Sequence, residues 1–185
     1  MRYALTFLLF AFALSMAEDM KRVTIQTPSG EITFKEKTIP KKQEFKDTVA
    51  ELTPDEQTAL KGDSERASAF VAAFVASQER TGDILEDLDS AFTAWLTSGK
   101  RDTYTDKDVI RIVGAALGSH AVKNLGVRWA RVTDEHGSVI ALVADAPPTR
   151  SFPFTSIQYR IEDKKTDFIV ALYRTLEHSM KDASK

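Results

Sequence analysis

The chain contains no cysteine. That excludes a disulfide framework, a thiol nucleophile, a Cys-ligated zinc site and a lipid anchor on an N-terminal cysteine. Glycine and proline are sparse, 8 and 6 in 185 residues, which excludes collagen-like and low-complexity chains. Neither sign of charge prevails. With 25 Lys and Arg against 27 Asp and Glu, the net charge is -2, and no basic surface for nucleic acid is expected. No apolar run approaches the roughly 20 residues of a membrane-spanning helix. What is present, 43% hydrophobic and 28% charged residues, is the balance of a globular domain long enough to bury its own core.

The longest apolar run, Leu5 to Leu14 broken only by Thr6, follows Arg2 and precedes Ser15-Met16-Ala17 and the acidic pair Glu18-Asp19. A positive start, a short apolar middle and small residues before a polar stretch are the parts of a secretory signal peptide. Residues 1–17 are therefore expected to be a signal peptide, cut between Ala17 and Glu18. The expected location is periplasmic or secreted, with no lipid anchor and no integral membrane segment after cleavage.

Residues 18–52 read as a β-hairpin and a charged linker. Val23 to Gln26 and Glu31 to Phe34 are β-rich runs on either side of Thr27-Pro28-Ser29-Gly30, a turn sequence. Lys35 to Asp47 mixes Lys and Glu and reads as solvated linker, in which Glu36, Glu44 and Asp47 neutralise Lys41-Lys42.

A single α+β domain is expected over 53–182. Thr53-Pro54-Asp55-Glu56 is a capping box with proline at the first helical position, opening a short helix that Gly62 is expected to end. Ala67, Phe70, Val71 and Phe74 fall on one face of a second helix. Asp83 caps a third, whose stripe is Leu85, Leu88, Phe92, Trp95 and Leu96. Asp106 is read as the cap of a fourth helix reaching Leu125, with Val109, Val113, Ala116 and Leu117 on one face. Inside it, Gly114-Ala115-Ala116-Leu117-Gly118 predicts the close approach of another backbone, because each helical glycine costs about 1 kcal/mol. Gly126 stops the helix. A hairpin follows over 127–144, turning at Asp134-Glu135-His136-Gly137, with an apolar return run Val139 to Val143. A further edge strand is expected over 151–154, then a short helix from Thr155 or Ser156 through Ile161 and a C-terminal helix from about Thr166. The fold class is thus mostly helical α+β with a small antiparallel β-sheet.

Several of these segments form a pattern in order: Phe92-x-x-Trp95-Leu96, Gly114 to Gly118, Leu125-Gly126-x-x-Trp129, Val132-Thr133-Asp134-Glu135-x-Gly137, and Phe152-Pro153-Phe154-x-Ser156-Ile157 with Arg160 to Asp163 and Phe168. Over about residues 85–180 the chain resembles a bacterial domain-of-unknown-function family, DUF3806. The resemblance implies a bacterial origin and one compact domain. It brings no activity, cofactor or catalytic residue with it.

A nucleophile elbow, a phosphate-binding glycine loop, a His-Glu-x-x-His helix and a calcium loop are all missing from the sequence. The three histidines, His120, His136 and His178, show no i, i+3 or i+4 pairing, so no metal site and no cofactor are expected. Asp134, Glu135 and His136 crowd the hairpin tip, where turn chemistry alone accounts for them. Arg128 and Arg131 flank Trp129 on the adjoining strand and are placed either to pair with Asp134, Glu135 or Asp145 or to meet an anionic ligand. Arg128, Arg131, Asp134, Glu135 and His136 are therefore the candidate ligand- or partner-binding residues, and no residue is assigned a catalytic role. Two functions compete. One is a non-catalytic envelope module that binds an unidentified protein or small molecule. The other is a small hydrolase or acid–base enzyme using His120 or His136 with Asp134 or Glu135, which requires a histidine and a carboxylate to converge in a pocket.

Overall fold

A computed structural model describes residues 20–27, 30–37, 46–98 and 103–182. The expected signal peptide, its Ala17–Glu18 junction and the Lys41-Lys42 stretch of the linker lie outside these residues. The chain divides into two compact units, residues 1–43 and 44–185.

In the first unit, β1 (Met20–Thr27) and β2 (Gly30–Lys37) form a two-stranded antiparallel sheet. The register places Val23 opposite Phe34 and Ile25 opposite Ile32. β2 therefore runs through Lys35, Glu36 and Lys37, which the sequence reading assigns to the linker. Arg22, Lys21 and Met20 of β1 oppose them and continue the ladder.

The second unit opens with a strand the sequence reading does not contain, β3 (Thr48–Ala50). Three residues carry too little periodicity to be seen in sequence, and pairing with β4 (Arg128–Asp134) defines the strand. Helices α1 (Pro54–Glu65), α2 (Ala67–Phe74), α3 (Ile84–Ser98) and α4 (Asp106–Leu125) follow. Then come β4, β5 (Gly137–Asp145), β6 (Pro148–Ser151), α5 (Pro153–Glu162) and α6 (Ile169–Asp182). The sheet has the order β3-β4-β5-β6 and is antiparallel throughout. The molecule is thus α+β, with a small antiparallel sheet and a C-terminal helix.

Four local expectations need correction. α1 runs through Gly62 to Glu65, since one interior glycine costs only about 1 kcal/mol. The carboxylate that follows it, Asp63, is buried against Arg111 at 2.8 Å and sits 3.7 Å from Arg66. The cap of α4 is Thr105 rather than Asp106: Thr105 and Asp108 form a reciprocal capping box. The edge strand is 148–151, because Pro153 occupies the first turn of α5, where its fixed φ suits a helix start. α5 accordingly begins before Thr155. α6 begins at Ile169 rather than near Thr166, since Lys164 and Asp167 adopt positive φ of 52° and 55° and interrupt helical geometry.

α4 is the central helix and packs against α1, α2, α3, α5 and α6. The main core gathers Phe70, Leu88, Phe92, Trp95, Val109, Ile112, Val113, Leu142, Ile157 and Ile169, all fully buried. The indole N–H of Trp95 donates to the Tyr104 carbonyl at 3.0 Å, so burying its one polar atom is compensated. On the sheet, Ala130, Val132, Ala141 and Val143 form a second apolar cluster. Trp129 and Leu142 lie opposite one another in the β4–β5 register, on the alternate face, and both join the main core with α4.

Candidate functional site

The site grows from the two glycines of α4. A Cβ on Gly114 would lie 2.6 Å from the Phe154 ring, and one on Gly118 would overlap the Trp129 indole. The small-residue surface therefore receives two aromatic side chains, with the Phe154 backbone also close to Gly114, rather than simply another backbone. Trp129 and Phe154 stack with ring centroids 5.6 Å apart and planes inclined by 21°. Beside them Leu52, Leu60 and Ala115 complete a small apolar cluster under α1.

Trp129 is only half-buried, and it lines a cleft of about 600 Å³ between the β3–α1 connection, α1, α4 and β4. Leu52 and Leu60 line it with the indole, while Gln57, Ser64, Ser119 and four charged residues, Glu51, Lys61, Glu65 and Arg128, supply its polar groups. The capping box fixes α1 at one side of this cleft: Glu56 accepts from the Thr53 backbone N–H at 2.9 Å, and Glu56 N–H donates to Thr53 Oγ1 at 3.3 Å. Gln57 Nε2 donates to the Leu52 carbonyl at 2.9 Å and holds the β3–α1 connection against the helix. The charges balance, two of each sign, and most are committed. Lys61 lies 3.8 Å from Glu65, and Arg128 Nη2 lies 3.3 Å from Asp145. The lining contains no histidine. Among the described residues no hydrogen bond links Ser64 or Ser119 to a general base. The lining thus combines an apolar wall with amide and hydroxyl groups.

The sequence-predicted candidates separate. Arg128 lines the cleft. Arg131, three residues on, instead pairs with Glu56 and donates to Ser138 Oγ at 3.1 Å, tying β4 to the first turn of α1. Asp134 Oδ1 accepts from the His136 backbone N–H at 2.8 Å, an Asx turn leading to Gly137 at φ 135°. His136 and Glu135 are both highly exposed, 3.5 Å apart. Leu52, Gln57, Leu60 and Trp129 are cleft residues that sequence reasoning missed. The signal available for the last of them was the Gly114–Gly118 spacing, which announces a close neighbour without naming it.

His120 opens into a different cleft, of about 320 Å³, formed by α3, α4 and α6 with Asp83, Glu86, Tyr173, Arg174 and Glu177. No residue of the hairpin tip lines it, so His120 does not meet Asp134 or Glu135 there. Its ring packs edge-on to Tyr173 at 5.0 Å. The charges here serve structure. Asp83 caps α3 by accepting from Leu85 N–H at 2.8 Å, and Glu177 accepts from Lys181 at 2.8 Å and Arg174 at 2.9 Å. Those bonds, from Lys181 first and Arg174 second, hold the Glu177 carboxyl below the usual range. Burial, reinforced by Glu177, pushes the Tyr173 hydroxyl up. Among the described residues, no hydrogen bond joins the His120 ring to a carboxylate, and no group of three or more His, Cys, Asp or Glu side chains is placed to hold a metal ion. No described helix is long and apolar enough to cross a membrane.

Residues 94–173, from the end of α3 to the middle of α6, match the family model described as a domain of unknown function, DUF3806. Over those residues the chain is similar to that family. The match takes in Trp129, Gly114, Gly118 and Phe154, whereas the α1 wall of the cleft lies before it. No curated protein matches the chain. A crystal structure of a protein from Bacteroides thetaiotaomicron, solved at 1.50 Å, is similar over 84% of this chain and 68% of that one, with a TM-score of 0.54. At 11% identity the likeness concerns the fold alone.

Proposed function

We propose that this DUF3806 protein is exported from a bacterial cytoplasm and acts in the envelope as a non-catalytic binding module. The observation that carries the binding reading is the cleft beside Trp129, where an indole, two leucines, an amide and two hydroxyls converge. Pockets with an apolar lining and a few placed polar groups are the usual form of small-molecule sites. The balanced charges of the rim favour a neutral or zwitterionic ligand with an apolar ring or chain. Export rests on Arg2, the apolar run Leu5–Leu14 and the small residues before Glu18.

Two measurements test the reading. Cell fractionation with N-terminal sequencing is expected to place the protein outside the cytoplasm, beginning at Glu18; material that begins at Met1 in the cytoplasm overturns export. Small molecules and peptides extracted from the envelope are expected to shift the emission of Trp129 in the wild type. The same extract leaves Trp129→Phe unchanged, because the second tryptophan, Trp95, is fully buried. If no fraction perturbs Trp129, the cleft is not a binding site.

A further inference from the structure

We propose that the hairpin β1–β2 is a self-association element: two copies of this chain join edge to edge along β2 into one four-stranded antiparallel sheet, with Thr33 on the twofold axis. The inference is independent of the cleft. Among the described residues β1 and β2 form a sheet of two strands with no third. Such a hairpin is marginally stable in water, and three or more strands with an apolar face are needed for an independent fold. The register puts Val23, Ile25, Ile32 and Phe34 at positions of one face and leaves the alternate positions polar apart from Met20 at the strand end. A second copy doubles that apolar face.

The sequence of β2 supplies the specificity. Glu31-Ile32-Thr33-Phe34-Lys35 is symmetric in hydropathy and antisymmetric in charge about Thr33. Paired antiparallel with itself about that residue, it sets Glu31 opposite the partner's Lys35 and Ile32 opposite the partner's Phe34, both favourable cross-strand combinations. The symmetry repeats each combination once. A slip of one residue turns the two apolar faces to opposite sides, and parallel pairing opposes Glu31 to the partner's Glu31.

Backbone geometry agrees. Thr27 and Gly30 form the last pair of the register. With that pair taken as a bonded one, the alternation of bonded and unbonded pairs directs the N–H and C=O groups of Glu31, Thr33 and Lys35 to the free edge. These are the groups that pairing about Thr33 uses. The β1 edge offers no equivalent, since its charged residues, Lys21 and Arg22, are both basic.

Sedimentation equilibrium of the protein recovered from expression of the full chain tests this. The wild type is expected to dimerise. Glu31→Lys and Lys35→Glu, each of which makes both symmetry-related pairs like-charged, are expected to weaken the dimer about tenfold or more. Mixing the two variants in equal amounts restores association, because the mixed pair again opposes unlike charges at both positions. A monomeric wild type, single variants that dimerise like the wild type, or a mixture that stays monomeric would overturn the proposal.

Discussion

Ser119 and His120 are adjacent on α4, yet they open into different clefts. The one beside Ser119 is walled by an indole that rests on Gly118 and by two leucines, and polar groups complete its lining. The one beside His120 is lined by carboxylates, a phenol and a guanidinium that mostly bond to one another or to a helix end. The proposed preference for the first cleft therefore rests on its apolar wall, and neither on size nor on a titratable side chain. The sequence offered His120 the carboxylates Asp134 and Glu135, but in the fold the carboxylates beside it include Asp83, which caps α3, and Glu177, which braces α6.

The sharpest way to break the contrast is Trp129→Ala. The indole is half-buried, stacked on Phe154 and in contact with the main core, so its removal is expected to cost about 3 kcal/mol, toward the lower end for a large aromatic. Urea unfolding measures this, and a change below about 1 kcal/mol would make Trp129 a surface residue in energetic terms. Next comes Gly118→Ala. The added methyl overlaps the indole, which Phe154 prevents from sliding freely, and an overpacking cost of about 1–3 kcal/mol is expected together with a shift in Trp129 emission. Normal stability with unchanged emission would show that the ring is not seated on α4.

The His120 side is sharpened by Asp89, a carboxylate of α3 that accepts from the backbone N–H groups of Phe168 and Val170 at 3.1 and 3.3 Å and so caps α6 from another helix. Asp89→Ala is expected to cost about 1–2 kcal/mol at neutral pH, and Asp89→Asn less, since the amide oxygen still accepts. Burial, the largest influence, raises the Asp89 pKa against the lowering effect of those backbone bonds. A carboxyl raised in the folded state stabilises below its unfolded value near 3.8, and that contribution is lost as pH rises through the folded value. The stability of the wild type relative to Asp89→Asn is therefore expected to fall as pH rises across that window. A relative stability that rises with pH would mean that the backbone bonds outweigh burial. The smallest effect is reserved for His136→Ala at the exposed tip, expected within about 0.5 kcal/mol by thermal melting. A larger loss would tie the tip to the core.

Much of the architecture was legible because its causes are local. The capping box at Thr53, the Asp83 cap, the Gly126 stop and the Gly137 turn each depend on residues within a few positions of one another. The stripes Phe70–Phe74 and Leu85–Leu96 declare their buried faces by spacing alone. The boundaries that moved did so where two local signals competed. Thr105 and Asp106 both suit a cap, and Pro153 suits an edge strand as well as a helix start. The cleft was barely legible, because its walls come from the β3–α1 connection, α1, α4 and β4, and the glycine spacing within α4 announced a close neighbour that the sequence reading took for a backbone.

By itself the sequence determined the absence of thiol chemistry, the α+β class, the order of helices around the hairpin, and the resemblance to DUF3806 that the family match supports. Each follows from composition, from periodicity or from bonds that close within one turn. Tertiary structure decided the partners: Arg131 with Glu56, Arg111 with Asp63, Asp89 with the start of α6, and Arg150 with Asp47 at 2.9 Å across 103 residues of chain. A side chain's type states what it can bond. Which of several suitable partners lies within 3 Å of it depends on how strands register and helices cross, and no short stretch of sequence contains that.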